Sequence, residues 1–263
     1  MRFLLYIKKT LKNILSSVII RINMDNLKRI ISDIIEFRED PPENIHIEID
    51  KENITNIKAL IIGPKGTPYE DGYFFFDIKM PADYPQSSPV VKFKTIDGKI
   101  RFNPNLYQCG KVCLSILGTW DGPKWTSANT LKSVLLSIQS LMAEFPIKNE
   151  PGYDRIQPNN EKSINYNHYV TFHKYRLAIL SVVKKEFIEF KCFENIIQKH
   201  FSENQQNLLN NLLSMAQIFA IKQSFHSPIY FIRGTFSIDY PKLLSQFENL
   251  IIDKSNLENQ TNE

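Results

Sequence analysis

The chain lacks the cysteines that a disulfide-built secreted scaffold needs. Three thiols in 263 residues, an odd number, make no disulfide framework, and a reducing cytosolic compartment is the expectation. Blocks of like charge are also missing. The net charge is only +4 and the lysines are dispersed, so no nucleic-acid surface is expected. No apolar run approaches the roughly 18 residues that a membrane span requires. The N-terminal stretch MRFLLYIKKTLKNILSSVIIRIN is interrupted by Lys8, Lys9 and Lys12 and is followed by no small-residue cleavage site. It therefore reads neither as a signal peptide nor as an anchor. Internal repeats and strong low-complexity tracts are absent too. What remains is a composition of 43 % apolar and 12 % aromatic residues, that of a globular chain able to bury a core.

Hydrophobic periodicity divides the chain. In residues 1–23, Leu4, Ile7, Leu11, Leu15 (or Ile14), Val18 and Ile22 recur at helical spacing with basic residues between them. That pattern predicts an amphipathic N-terminal extension, packed on the domain or lying at a membrane surface. MDNLKRIISDIIEFR, residues 24–38, places Leu27, Ile30, Ile31, Ile34 and Ile35 on one helical face, and Asp40-Pro41-Pro42 stops it. The period then becomes two. Ile45, Ile47 and Ile49 alternate, KALIIG is a more buried run, Phe74, Phe76, Ile78 and Met80 alternate again, and VVKFK follows. GPKGTPYEDG lies between the second and third strands as a turn. A helix followed by four strands in meander order predicts an α+β fold, an antiparallel sheet with helices around it.

Residues 95–125 show no clean period and read as one long irregular segment. Such a segment is functional or disordered, and Phe102, Leu106, Val112, Leu114 and Ile116 argue that this one is packed. A helix follows, with Ser127 or Thr126 as its cap and Leu131, Val134, Leu135, Ile138, Leu141 and Met142 as its stripe, ended by Pro146. Further helices are expected near 163–188, 205–221 and 239–252. The divisions predicted are thus 1–23, a main domain at 24–190, a helical extension at 191–253 and a polar tail at 254–263.

Two of the three cysteines, Cys109 and Cys113, lie within the irregular segment. A zinc site would pair them with a second such pair, but Cys192 is solitary and the histidines at 46, 168, 173, 200 and 226 have no finger spacing. No metal and no cofactor are expected. A Cys–His arrangement with distant partners stays open on spacing alone. Position favours chemistry at Cys113, which follows Gly110 and lies downstream of Asn103-Pro104-Asn105.

These residues resemble the ubiquitin-conjugating (E2) enzymes. The resemblance is carried by GPKGTPYEDGYF (63–74), MPADYPQSSPVVKF (80–93) and NPNLYQCGKVCLSIL (103–117), a tryptophan and then a helix. It spans about residues 24–155. The longer connection GTWDGPKW and the stretches NEPGY, INYNHYV and RGTFSIDYPKLL are similar to the large Z-type subgroup, with its C-terminal extension.

The resemblance implies the ubiquitin-conjugating fold, a four-stranded meander flanked by helices with a helical extension. It implies Cys113 as thioester nucleophile and Asn105 as the group that stabilises the oxyanion or braces the loop. Asn103, in the position of the family's usual histidine, Pro104, Ser115 and Trp125 are implied as structural residues near the site; Ser115 stands where many relatives have aspartate. Cys109 reads as incidental. The partners implied are ubiquitin or a ubiquitin-like protein, an activating enzyme, a protein substrate and a ligase facing Gln86 and Ser127, in a cytoplasmic or nuclear setting and without a membrane. The competing expectation is a non-catalytic modifier-binding or scaffold protein of the same fold.

Overall fold

The structure is a computed structural model that describes residues 24–226 and 235–261; the amphipathic segment 1–23 lies outside the described residues. Helix α1 (24–39) precedes strands β1 (Ile45–Ile49), β2 (Asn56–Ile62), β3 (Tyr73–Lys79) and β4 (Val90–Phe93). They pair antiparallel in the order β1-β2-β3-β4, so the expected meander is observed. After the irregular segment come α2 (Leu131–Ser140) and α3 (Glu161–His173), which continues as a π-helical stretch Lys174–Ser181. The remaining chain forms a 3₁₀ turn Ile188–Phe193, α4 (Glu194–Ile218), the hairpin β5 (Gln223–His226) and β6 (Thr235–Ile238), and α5 (Tyr240–Thr261).

The sheet has two unlike faces. Register places Ile45, Ile61 and Phe74 in one row, Ile47, Ala59, Phe76 and Phe93 in the next, and Ile49, Ile57, Ile78 and Val91 in the third. This apolar face joins a core that also takes Leu131, Val134, Leu135 and Ile138 of α2. The opposite face carries Glu48, Lys58, Asp77 and Lys92 at one end but Leu60, Ile62, Tyr73 and Phe75 at the other, all four buried. The cover over that apolar end begins at Phe187, just before the expected boundary at 190, and continues into the helical extension. Phe190 stacks on Phe75 with ring centroids 4.5 Å apart and Phe193 lies parallel at 6.3 Å. The Tyr73 hydroxyl lies 3.1 Å from His200 Nδ1 in α4.

The extension therefore docks as its apolar stripes require. Leu208, Leu212 and Phe219 of α4 and its end, and Tyr240, Leu243, Phe247 and Leu250 of α5, are all buried. Phe247 packs against Phe201 and Tyr175, and Tyr240 meets Phe172 edge-on at 5.4 Å. Phe236 of the hairpin sits over Tyr169 at 5.2 Å.

Several local expectations change. In α1 the buried face is Ile30, Ile34 and Phe37, whereas Leu27, Ile31 and Ile35 are exposed; the face that enters the common core is narrower than the stripe read in the sequence and shifted toward Phe37. The N-cap of α2 is Thr130, not Ser127 or Thr126, in a reciprocal box with Ser133. Thr126 instead closes a turn onto Asn129. Helix α4 begins at Glu194 rather than near 205, since the polar residues of its first half still bury Ile197 and Phe201. Strands β5 and β6 were not expected, and α5 runs through Thr261, into the residues read as a polar tail.

Candidate active site

The irregular segment is ordered by its own small pairings. Leu106 bridges Val112, and Lys111 bridges Lys92 beside β4, where Phe93 N–H donates to Gly110 O at 2.8 Å. Gly110 turns at φ 85°, and a Cβ there would lie 2.7 Å from Phe93 O, so only glycine fits the turn. The turn sends neighbouring residues to opposite environments. Cys109 is exposed at its tip, while Cys113, beyond it, is 1 % exposed.

Asn103 and Asn105 brace this segment from below. Asn103 Oδ1 accepts from Asn105 N–H at 2.9 Å, and its amide donates to the Tyr69 hydroxyl at 2.9 Å and to Leu141 O at 2.7 Å. Tyr69, whose phenol is pushed far up by burial, donates onward to Phe102 O. An asparagine thus serves the loop through a short amide that offers both a donor and an acceptor. Pro104 carries the carbonyl that Arg101 holds.

Asn105 lies directly on the expected nucleophile. Its Nδ2 donates to Cys113 O at 2.7 Å, and Cys113 N–H donates to Asn105 O at 2.9 Å. The second Nδ2 hydrogen meets no other acceptor among the described residues, and Oδ1 is buried without a hydrogen-bond partner there. Beside the thiol stands Tyr107, whose phenol is raised by burial and by hydrogen bonding with Cys113, with Arg101 opposing. The Arg101 guanidinium lies 3.6 Å over the Tyr107 ring centre.

Downstream, Ser115 opens a 3₁₀ turn, Ser115–Leu117, that ends on Gly118 at φ 68°. Thr119 then returns to the Cys113 region, accepting Leu114 N–H at 2.9 Å and donating to Val112 O at 2.7 Å. Trp125 bonds Pro85 O at 2.7 Å through its indole N–H and packs on Tyr84. It thereby ties the turn holding Gln86 to the loop holding Ser127, both exposed. From α1, Arg29 reaches Ser127 O and Asn129 O, and Asp33 accepts from Leu131 N–H at 2.9 Å.

Of the residues singled out in sequence, Cys113, Asn105, Asn103 and Pro104 come together, Ser115 lies on the next turn, and Trp125 braces a neighbouring loop. Tyr69, Arg101, Tyr107 and Thr119 were missed. Arg101, Tyr107 and Thr119 were signalled only by lying within the irregular segment, and Tyr69 only by lying in the turn GPKGTPYEDG. Among the described residues, no group of three or more His, Cys, Asp or Glu side chains is placed to hold a metal ion, and no helix is long and apolar enough to cross a membrane.

Comparison with known proteins shows the family of the chain. Residues 29–174, more than half of the chain, match the family model described as ubiquitin-conjugating enzyme. The chain is 39 % identical over 228 residues to the ubiquitin-conjugating enzyme E2 Z of Xenopus tropicalis, covering 84 % of this chain and 70 % of that protein. It is 43 % identical over 184 residues to the human protein of the same name, covering 67 % of this chain but 50 % of its relative. To the probable ubiquitin-conjugating enzyme E2 25 of Arabidopsis thaliana it is 46 % identical over 136 residues, half of this chain and 22 % of that one.

Proposed function

We propose, for a chain that belongs to the ubiquitin-conjugating enzyme family, that Cys113 receives ubiquitin or a ubiquitin-like protein as a thioester and passes it to an amine. The observation that carries this reading is the mutual hold of Asn105 and Cys113, residues eight apart in sequence, in a loop with no other buried thiol. In charging, the Cys113 thiolate attacks the modifier's thioester on its activating enzyme. The new C–S bond forms as the old one breaks, and the activating enzyme's thiol leaves. Sulfur is intrinsically a strong nucleophile toward a thioester, so the exchange calls for no dedicated base.

In discharge, a substrate amine attacks the Cys113 thioester and negative charge grows on the carbonyl oxygen. The tetrahedral intermediate collapses to an amide as the C–S bond breaks, and the released Cys113 thiolate takes up the proton that the amine loses. One Asn105 N–H braces the Cys113 carbonyl, and the other is the donor for that oxyanion. Losing such a donor typically costs about 2.7–4 kcal/mol. Ser115 supplies no carboxylate, so the incoming amine is deprotonated and oriented without one at that position. Gln86 and Ser127, joined through Trp125, form the face offered to a ligase.

The burial of the Cys113 side chain favours one second reading, a modifier-binding module whose thiol is never charged. A charging assay separates the two. The protein is incubated with an activating enzyme, ATP and each modifier of a panel, then resolved with and without reductant. A reductant-sensitive adduct supports the carrier reading; its absence with every modifier and activator supports the binding module.

A further inference from the structure

We propose that Thr119 is a positioning residue for Cys113, closing with Asn105 on both peptide groups that flank the nucleophile. This inference rests on the assignment of Cys113 as the thioester carrier. In the Val112–Cys113 peptide, the carbonyl accepts from Thr119 Oγ1 at 2.7 Å and the N–H donates to Asn105 O at 2.9 Å. In the Cys113–Leu114 peptide, the carbonyl accepts from Asn105 Nδ2 at 2.7 Å and the N–H donates to Thr119 Oγ1 at 2.9 Å. Each peptide is gripped at one end by Asn105 and at the other by Thr119. Both residues grip by giving and accepting at once.

The chemistry requires a short hydroxyl. A hydroxyl supplies one donor and accepting lone pairs from a single atom, and only serine or threonine can set that atom between a carbonyl and an N–H so close to its own backbone. The backbone of Thr119 is itself fixed, because its N–H donates to Leu114 O at 3.1 Å just after the left-handed Gly118. Thr119 lies on the surface, so its side chain fills no core space that a substitution would empty. The clamp has a second consequence. The Leu114 N–H, the main-chain donor next to the nucleophile, is already engaged by Thr119. The oxyanion is left to the second Asn105 hydrogen.

The test follows discharge of preformed thioester to free lysine across amine concentrations, beside thermal melting and alkylation of Cys113 by iodoacetamide read by mass. Thr119→Val keeps the shape and removes the hydroxyl. It should charge, melt as the parent does, keep the KM for lysine and lose about 10- to 100-fold in discharge kcat, the scale set by misplacing a reacting group by up to about 1 Å. Its Cys113 should alkylate faster, since a loosened peptide exposes the thiol. Thr119→Ser should restore most of the rate, and Thr119→Val added to Asn105→Ala should slow discharge by less than it does alone, because both act on the same peptides. Three results would overturn the clamp: a Thr119→Val protein with parental discharge and parental alkylation, a faster discharge that marks the freed Leu114 N–H as a useful donor, or a Thr119→Ser protein as slow as Thr119→Val. Failure of the parent chain to charge with any modifier would instead remove the carrier assignment. The alkylation comparison, which needs no modifier, would still decide whether Thr119 holds Cys113.

Discussion

The segment around Cys113 and the segment after residue 187 solve opposite problems with opposite forces. From Asn103 to Thr119 the chain has little regular structure, and its shape comes from asparagine, threonine and arginine side chains bonded to main-chain atoms. From Phe187 onward the hold is aromatic: Phe187, Phe190 and Phe193 cover Phe75, Phe236, Tyr240 and Phe247 cover α3 and its π-helical continuation, and Phe201 packs on Phe247. Directional bonds fix the place of one atom, whereas buried area supplies stability without fixing an atom so closely. A site that must hold a thiol in register uses the first. An appendage that must stay docked uses the second. Damage to the loop should therefore appear in rates, and damage to the extension in melting.

The largest effect expected is at the nucleophile. Cys113→Ser should form no reductant-sensitive adduct, and any product should be an oxyester that survives thiol and is cleaved by alkali, while Cys109→Ser charges like the parent. A gel run with and without reductant decides this. Next is Asn105→Ala, which should charge at a near-parental rate and discharge to lysine roughly 10²–10³-fold more slowly, the range for losing one oxyanion donor. Equal slowing of both steps in a single-turnover assay would mean that Asn105 only supports the loop.

The opposite side of the comparison is sharpened at Phe190, which is 2 % exposed and stacked on Phe75. Phe190→Ala should lower stability by about 3–5 kcal/mol, as for other buried aromatic truncations, measured by denaturant unfolding. The charging rate per folded molecule should stay parental at a temperature where the variant is folded. A variant that melts normally but charges slowly would reverse the division of labour.

The smallest effect is set by pH. Burial lowers the imidazoles of His168, His173 and His200, with His173 pushed down to about 3. His168 faces Phe219 and Phe225, His200 faces Tyr73, and His173 lies beside Phe172, Tyr169 and Arg176. Around His200 stand Asp71 and Glu203, which oppose the lowering, and Lys65, which adds to it. Because the folded state resists protonation, the unfolded chain binds more protons below its own histidine value near 6.5. The stability these groups contribute is fully present above about pH 6.5 and declines as pH falls toward the folded values. Melting followed from pH 7.5 to 5 should show that decline, and replacing His168 by Phe should flatten it. A melting temperature that rises on acidification would contradict the sign.

The two regions were unequally legible in sequence. Cys113 could be singled out by its position after Gly110 in a packed loop, whereas Asn105 was implied only by the resemblance to the ubiquitin-conjugating enzymes. The sheet's apolar face could be read because Phe74, Phe76 and Ile78 alternate. The covered half of the other face could not be read from alternation, since Phe75 and Leu60 are buried only because residues distant in sequence lie over them. The unbroken runs KALIIG and YFFF were its local traces, as a run without alternation marks a strand covered on both sides. Thr119 was invisible for a different reason. A hydroxyl that bonds main chain has no period and no partner side chain, so only coordinates show what it holds. The first half of α4 was hidden by its polarity, because ENIIQKHF carries its buried Ile197 and Phe201 among charged and amide residues.

The measurement closest to the central claim asks which thiol is occupied after charging. The protein is charged with modifier, denatured under mildly acidic conditions that preserve a thioester, and alkylated with N-ethylmaleimide. The adduct is then released with hydroxylamine and the freed thiol is labelled with a second reagent for mass mapping. The account predicts the second label at Cys113 alone, with Cys109 and Cys192 carrying the first. A second label at Cys109 or Cys192, with Cys113 alkylated in the first step, would contradict it.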